Sequence, residues 1–206
     1  MIMGVRQSLG LFLEPITNFM NSGKEFFSFA IGVQAIIWGL VTFFLGILID
    51  KFGPQKILAF GIISFASGIF LMSNPTSEFT LFSATTLMGF GLGGAGMATM
   101  VSIAGKVAPV NKRSLAMGLV AAAASFGQFA VVLPTMWMNK AFGWETSLIV
   151  LASVVIGLLI FLPLLNSTNN KSNSAQDFGN SLQQTIMFSL REKNYILLIS
   201  GFFVCG

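Results

Sequence analysis

Long apolar stretches separated by short polar segments restrict what this chain can fold into. Of its 206 residues, 54% are hydrophobic and 9% are charged, whereas a soluble domain typically carries about 25% charged residues. So few charges cannot cover a surface that faces water. The sequence therefore predicts an all-α fold, a polytopic bundle of transmembrane helices whose main partner is the lipid bilayer.

Hydropathy predicts six spans, at residues 1–13, 27–49, 57–73, 78–105, 115–138 and 144–165. Residues 1–165 are thus expected to form one six-helix bundle. Residues 166–192 are rich in Asn and Ser and predict a flexible linker, and a seventh helix is predicted to begin within 193–206. The first span would rise only about 20 Å, against roughly 30 Å of hydrocarbon. Because the first and last apolar runs both stop short, we expect the chain to be part of a longer protein.

The basic residues indicate an orientation. Two of them, Lys24 and Lys140, lie in the predicted connections on one side of the bundle. The connections on the other side hold eight, namely Lys51, Lys56, Lys106, Lys112, Arg113, Lys171, Arg191 and Lys193. Since Lys and Arg are enriched in cytoplasmic loops, connections 2–3, 4–5 and 6–7 are predicted to be cytoplasmic. Although the net charge is +4, the basic residues form no stripe that would bind nucleic acid.

Several classes of site find no support in the sequence. One cysteine and no histidine exclude a disulfide framework and a Cys/His zinc site. The sequence has no paired carboxylates at mid-depth and no serine beside a general base, which are arrangements that would indicate an enzyme. We also expect no cofactor or metal. Gly89, Gly91 and Gly94 form a G-x-G-x-x-G pattern, but no strand precedes it and no acidic residue follows at the dinucleotide-binding distance.

The glycines instead indicate close packing of membrane helices. Gly89, Gly91, Gly93 and Gly94 are predicted to let the fourth span approach its neighbours or bend. Gly32, Gly39 and Gly46 recur every seven residues on one face of the second span. Close packing is expected on that face as well.

Arg6 is the most informative polar residue. It precedes Glu14 by eight residues, which places it about 12 Å from the outer end of the first predicted helix, close to the bilayer midplane. An arginine there costs about 2.5–3.5 kcal/mol on insertion scales, so an anionic substrate, a carbonyl or a carboxylate must offset it. Polar or aromatic residues expected near this depth are Gln7, Gln34, Trp38 and Gln128. They predict a midplane substrate site; interhelical hydrogen bonding and packing remain the alternative.

The stretch "GILIDKFGPQK" (46–56) carries a family resemblance. Its Gly46, Asp50, Lys51, Gly53 and Lys56 resemble the loop 2–3 signature of the major facilitator superfamily. Pro54 and Gln55 stand where basic residues are usual. "KRSLAMG" (112–118) and "FGWE" (142–145) are similar to further family patterns, and Thr85 replaces an arginine that many members carry.

The resemblance implies the six-helix N-terminal half of a twelve-helix secondary transporter plus the start of helix 7. Asp50 would then be part of a gating latch whose partner lies in the C-terminal half of the same chain. In the alternative interpretation, the lysines only determine the membrane topology and Asp50 caps a turn. "GVRQSLGLFLEPI" (4–16) and "LLISGFFVCG" (197–206) look like the oxalate/formate antiporter and monocarboxylate porter group. This implies transport of a small organic anion, a mono- or dicarboxylate, across a bacterial inner membrane.

Other interpretations stay open at this point. The chain could belong to a transporter of a different solute, or to a membrane scaffold or sensor that transports nothing. A membrane-embedded enzyme and a homodimer of six-helix halves are further alternatives. The scaffold or sensor interpretation predicts that Arg6 and the glutamines can be replaced without loss of function.

Overall fold

The described part of the chain in the computed structural model, residues 1–168, is helical and contains no strand. The linker predicted for 166–192 continues beyond it, and the helix start predicted for 193–206 lies outside the described residues. The helices are α1 (Ile2–Ser8), α2 (Leu13–Met20), α3 (Lys24–Phe52), α4 (Pro54–Met72), α5 (Glu78–Ala95), α6 (Met97–Val107), α7 (Arg113–Phe142) and α8 (Trp144–Gly157). Three 3₁₀ segments complete them, at Leu9–Phe12, Val110–Lys112 and Leu158–Thr168.

Five helical runs are long and apolar enough to cross a membrane. They are Lys24–Ile49, Pro54–Met72, Glu78–Val107, Val110–Phe142 and Trp144–Pro163. Each coincides with a predicted span, and the polytopic helical bundle is confirmed. The buried core lies where α4 and α5 meet the first helices and α8, around side chains such as Phe12, Phe65, Leu81, Met88 and Leu148.

The first predicted span is longer than expected. The 3₁₀ segment Leu9–Phe12 joins α1 to α2, so one helical run extends from Ile2 to Met20. The predicted end at residue 13 and the predicted loop at 14–26 are wrong. Glu14 and Pro15 suggested a break, but Pro is tolerated in the first turn of a helix. Glu14 lies in the last third of the run, and its Oε1 accepts a hydrogen bond from Lys24 Nζ at 3.2 Å in an exposed ion pair.

Pro15 links this first run to α7. Because proline has no backbone N–H, residue 15 cannot donate a hydrogen bond to the carbonyl of Leu11, four residues earlier. Asn139 Nδ2 in α7 donates a hydrogen bond to that carbonyl at 3.3 Å. A side chain that is distant in sequence therefore satisfies the backbone group that the proline releases.

The predicted charged loop at 50–56 is a single residue. α3 runs through Asp50 and Lys51 to Phe52, Gly53 makes the connection, and α4 begins at Pro54. Gly53 has φ 85° and ψ 155°, a conformation essentially restricted to glycine, and proline suits the first position of a helix. Gly143 connects α7 and α8 in the same way, with φ 85° and ψ 166°.

The glycines of α5 let this helix fit between α3 and α4. A Cβ built at Gly89 would stand 3.0 Å from the carbonyl oxygen of Gln34, and one at Gly93 would stand 2.5 Å from Val41 Cγ1, both in α3. Gly91 and Gly94 make equally close approaches to α4, at Phe65, Gly61 and Ile57. At Gly91 and Gly94 the added Cβ would meet backbone atoms of α4 at less than 3.0 Å. α5 can therefore keep its place against α4 only with glycine at these two sites, whereas a methyl group at Gly89 or Gly93 would require its neighbours in α3 to shift.

The fourth predicted span consists of two helices. Gly96 separates α5 from α6 with an extended backbone, φ −76° and ψ 178°. A Cβ at this position would collide with the carbonyl oxygen of Leu92. At the same break, Thr99 Oγ1 donates a hydrogen bond to the carbonyl of Gly93 at 2.8 Å, in a buried position. The break is therefore stabilised by the extended conformation of Gly96 and by the hydrogen bond from Thr99.

Candidate functional site

Arg6 and Trp38 meet between the first helical run and α3. The Arg6 guanidinium carbon lies 4.8 Å from the centroid of the Trp38 ring, within the range of a cation–π contact. Arg6 is half-buried, and so is the indole. Of the residues predicted to form the site, this pair is brought into direct contact.

The two residues also lie at the same depth. Arg6 is fourteen residues before the end of its helical run at Met20, and Trp38 is fourteen residues after the start of α3 at Lys24. Fourteen residues rise about 21 Å in a helix. The predicted depth of 12 Å for Arg6 is wrong because the run continues past Glu14. The pair therefore lies about 21 Å along each helix from the connection between them, and its depth in the membrane stays a prediction.

Trp38 also lies near the junction of α5 and α6. A Cβ built at Gly96 would stand 3.3 Å from Trp38 Nε1, so the indole edge lies close to the break in the fourth span. The ring therefore contacts Arg6 and has a helix break that requires glycine as a second neighbour. Sequence reasoning missed Gly96. Its signal, one more glycine in a glycine-rich stretch, did not distinguish it from the packing glycines before it.

Gln34 lies one helical turn before Trp38, on the same face of α3. Its side chain is fully buried. Neither Nε2 nor Oε1 of its amide has a hydrogen-bond partner in the described part of the chain, and the same is true of the buried Arg6 Nε. A buried polar atom without a partner costs about 1–3 kcal/mol. These atoms can accept a ligand or water without giving up an existing bond.

The other predicted substrate residues do not join the pair. Gln7 is exposed and Gln128 is half-buried. Thr85 is fully buried, and its hydroxyl donates to the carbonyl of Phe82 at 2.9 Å. The hydroxyl is thus hydrogen-bonded within its own helix. The side chain carries no charge at the position where the resembled family often has arginine.

The predicted gating residues cluster at the α3–α4 connection. The side chain of Asp50 lies outside the described residues. Lys51 Nζ is 5.5 Å from the ring centroid of Phe52. Gln55, which departs from the family pattern, donates a hydrogen bond from Nε2 to the carbonyl of Leu162 at 3.2 Å. This contact, which the sequence did not reveal, ties the connection to the segment after α8.

One face of α3 has no neighbour among the described residues. A Cβ at Gly32, Gly39 or Gly46 would meet no atom within 4 Å. Close packing on this face therefore stays a prediction. If it occurs, it involves lipid or protein other than residues 1–168.

Residues 1–206, the whole chain, match the sequence profile of the Major Facilitator Superfamily. The chain is 26% identical over 216 residues to the uncharacterized MFS-type transporter YcxA of Bacillus subtilis (strain 168), covering 98% of this chain and 50% of the relative. It is 27% identical over 167 residues to the agnestins efflux protein AgnL12 of Paecilomyces divaricatus, covering 79% of this chain and 36% of the relative. The chain therefore spans half or less of the length of these relatives. No solved structure matches it.

Proposed function

The chain belongs to the Major Facilitator Superfamily and is an integral membrane protein, and from this premise we propose that it forms the N-terminal half of a secondary transporter for a small organic anion. Transport would proceed by alternating access, with two six-helix bundles moving about a site near the middle of the membrane. The relatives are transporters by name, which supports transport rather than catalysis.

Arg6 carries the proposal of an anion. Its charge lies in the helical run from Ile2 to Met20, which we expect to cross the membrane, and its buried Nε has no acceptor among the described residues. A planar guanidinium binds a carboxylate through two parallel hydrogen bonds, and such charge-assisted bonds are about twice as strong as neutral ones. A carboxylate would therefore offset the cost of placing Arg6 in the membrane and supply the missing acceptor.

Gln34 supports the same location. Its amide is the second unpartnered polar group on the face of α3 that carries Trp38. We propose that Arg6 and Gln34 contribute polar contacts from this half, and that the C-terminal half supplies the rest of the site. Gln7 and Gln128 would contribute only in another conformation, since neither joins the Arg6–Trp38 pair here.

The remaining assignments follow from the family and the charge distribution. Connections 2–3, 4–5 and 6–7 would face the cytoplasm, with residues 166–192 as the linker between halves and helix 7 beginning within 193–206. Asp50 would act as a latch against the C-terminal half. The membrane would be a bacterial inner membrane, and the branch would be that of the oxalate/formate antiporters and monocarboxylate porters.

Export of a different solute is the second candidate. It is supported by the similarity to a protein named for the efflux of agnestins. A carrier of this kind would not require the charge of Arg6. The two candidates are thus distinguished by the same variant.

Uptake into proteoliposomes tests the proposal. The full-length transporter that contains this chain would be reconstituted and supplied with labelled acetate, propionate or succinate. The neutral analogue propionamide would serve as the control solute. We expect saturable uptake of at least one carboxylate, little uptake of the amide, and loss of carboxylate uptake in Arg6→Gln. No carboxylate uptake, or uptake that survives Arg6→Gln unchanged, would overturn the anion assignment.

A further inference from the structure

We propose that Trp38 is a positioning residue that holds the Arg6 guanidinium in the orientation in which it receives the carboxylate. This inference rests on the proposed function, because it assumes that Arg6 binds an anion. It assigns to Trp38 a role that acts through Arg6 and needs no contact between the indole and the substrate.

The geometry of the contact supports this role. The guanidinium carbon is 4.8 Å from the ring centroid, so the ring holds the cation through the π-face. An arginine stacked in this way keeps its N–H donors directed outward in its own plane. The buried Nε has no partner among the described residues, so no existing hydrogen bond competes for this donor. Ring and carboxylate would therefore bind Arg6 at the same time.

The edge of the ring also lies near the break between α5 and α6. A Cβ built at Gly96 would stand 3.3 Å from Trp38 Nε1. Thr99 fixes the break by its hydrogen bond to the carbonyl of Gly93. A large ring set against a defined backbone has little freedom to tilt. Arg6 consequently has a fixed support, which lowers the entropy that anion binding must remove.

Uptake kinetics of three Trp38 variants test the role. A cation–π contact that is partly removed from water contributes an amount equivalent to roughly two- to thirty-fold in affinity. Trp38→Leu should therefore raise the KM for the transported carboxylate by roughly this factor and leave the maximal rate unchanged. Trp38→Phe and Trp38→Tyr, which keep a ring face, should restore much of the affinity. Trp137→Phe, on the exposed side of α7, is the matched control and should change nothing.

Fluorescence provides a test that does not depend on folding of the leucine variant. In a full-length protein whose other tryptophans are replaced by phenylalanine, including Trp137 and Trp144, emission from Trp38 should change on addition of the transported carboxylate. The change should disappear when Arg6→Gln is added.

The outcomes separate this inference from the proposed function. Absence of carboxylate uptake in the wild type, or an Arg6→Gln variant that behaves like the wild type, would overturn the proposed function and with it this inference. Carboxylate uptake that depends on Arg6 but shows an unchanged KM in Trp38→Leu would overturn only the role of Trp38. The same holds if Trp38→Phe is as impaired as Trp38→Leu, or if Trp38 emission does not respond to the carboxylate.

Discussion

The polar side chains of this bundle differ from one another in whether they have hydrogen-bond partners. Gln34 and Asn139 are both amides on long helices, but only Asn139 has a hydrogen bond, to the carbonyl of Leu11, whereas the Gln34 amide has no partner among the described residues. Structural stability alone therefore gives no reason for an amide at position 34. We propose that a contact with the transported anion does.

Replacing Gln34 with leucine should separate stability from function. Leucine removes two buried polar atoms that lack partners, so unfolding stability should stay the same or rise, while carboxylate uptake should fall. Asn139→Leu is the control, and it should lose about 0.5–1.5 kcal/mol because a formed hydrogen bond is broken. Thermal unfolding and uptake measured on the same preparations provide the comparison. A strongly destabilised Gln34→Leu variant would contradict this view of the amide.

Gly53 is required by its backbone conformation. At φ 85° and ψ 155°, an alanine is strained by about 1–3 kcal/mol. Gly53→Ala should therefore lower the free energy of unfolding by about that amount. Gly157→Ala is the matched control, since a Cβ there meets nothing within 4 Å and alanine favours a helix. Equal stability of the two variants would argue against the one-residue connection between α3 and α4.

At the scale of helices, Pro15 and Asn139 should act as a coupled pair. Asn139→Ala should destabilise the protein by about 0.5–1.5 kcal/mol, because the carbonyl of Leu11 then loses the hydrogen bond from this side chain. With Pro15→Ala in place, residue 15 has an N–H that can donate to this carbonyl, and Asn139→Ala should cost much less. A double-mutant cycle on unfolding free energies measures the difference. Additive effects would mean that the proline does not create the role of Asn139.

Hydropathy located the spans but not the ends of the first helical run or the length of the connection between α3 and α4. Five spans were predictable because each is an apolar run of sufficient length. The first helical run was cut short because Glu14 and Pro15 look like a boundary in sequence. In the folded chain, Lys24 pairs with Glu14, and Asn139 donates to the carbonyl four residues before Pro15. The sequence does not reveal either contact. The length of the loop predicted at 50–56 was overestimated, because one glycine with positive φ makes a connection that would otherwise need several turn residues.

The candidate site was predictable in part. The charge of Arg6 within an apolar run marked it from sequence alone, and Trp38 was named as a residue that might line the same region. Their contact could not be derived, because the predicted end of the first helix gave the wrong depth for Arg6. The contribution of Gly96 depends on helix packing between α3 and α5. Sequence periodicity does not contain that information.

At the scale of the whole molecule, the distribution of lysine and arginine predicts which ends of the helices are cytoplasmic. In a background with Cys205→Ser, which removes the cysteine of the sequence, Asn74→Cys and Val110→Cys place single thiols at exposed positions on opposite ends of the fourth span. A membrane-impermeant maleimide should label Asn74→Cys in right-side-out vesicles and Val110→Cys only in inside-out vesicles. The reverse pattern would invert the proposed topology.

The central claim is that Arg6 binds the transported anion, and equilibrium binding tests it most directly. The dissociation constant of the carboxylate selected by uptake would be measured for the full-length wild type and for Arg6→Gln and Arg6→Lys in lipid nanodiscs. Loss of charged hydrogen bonds worth about 1.5–3 kcal/mol predicts a dissociation constant roughly 10- to 150-fold higher in Arg6→Gln. Arg6→Lys, which keeps the charge without the planar fork, should fall between the two. An unchanged dissociation constant in Arg6→Gln would contradict the account.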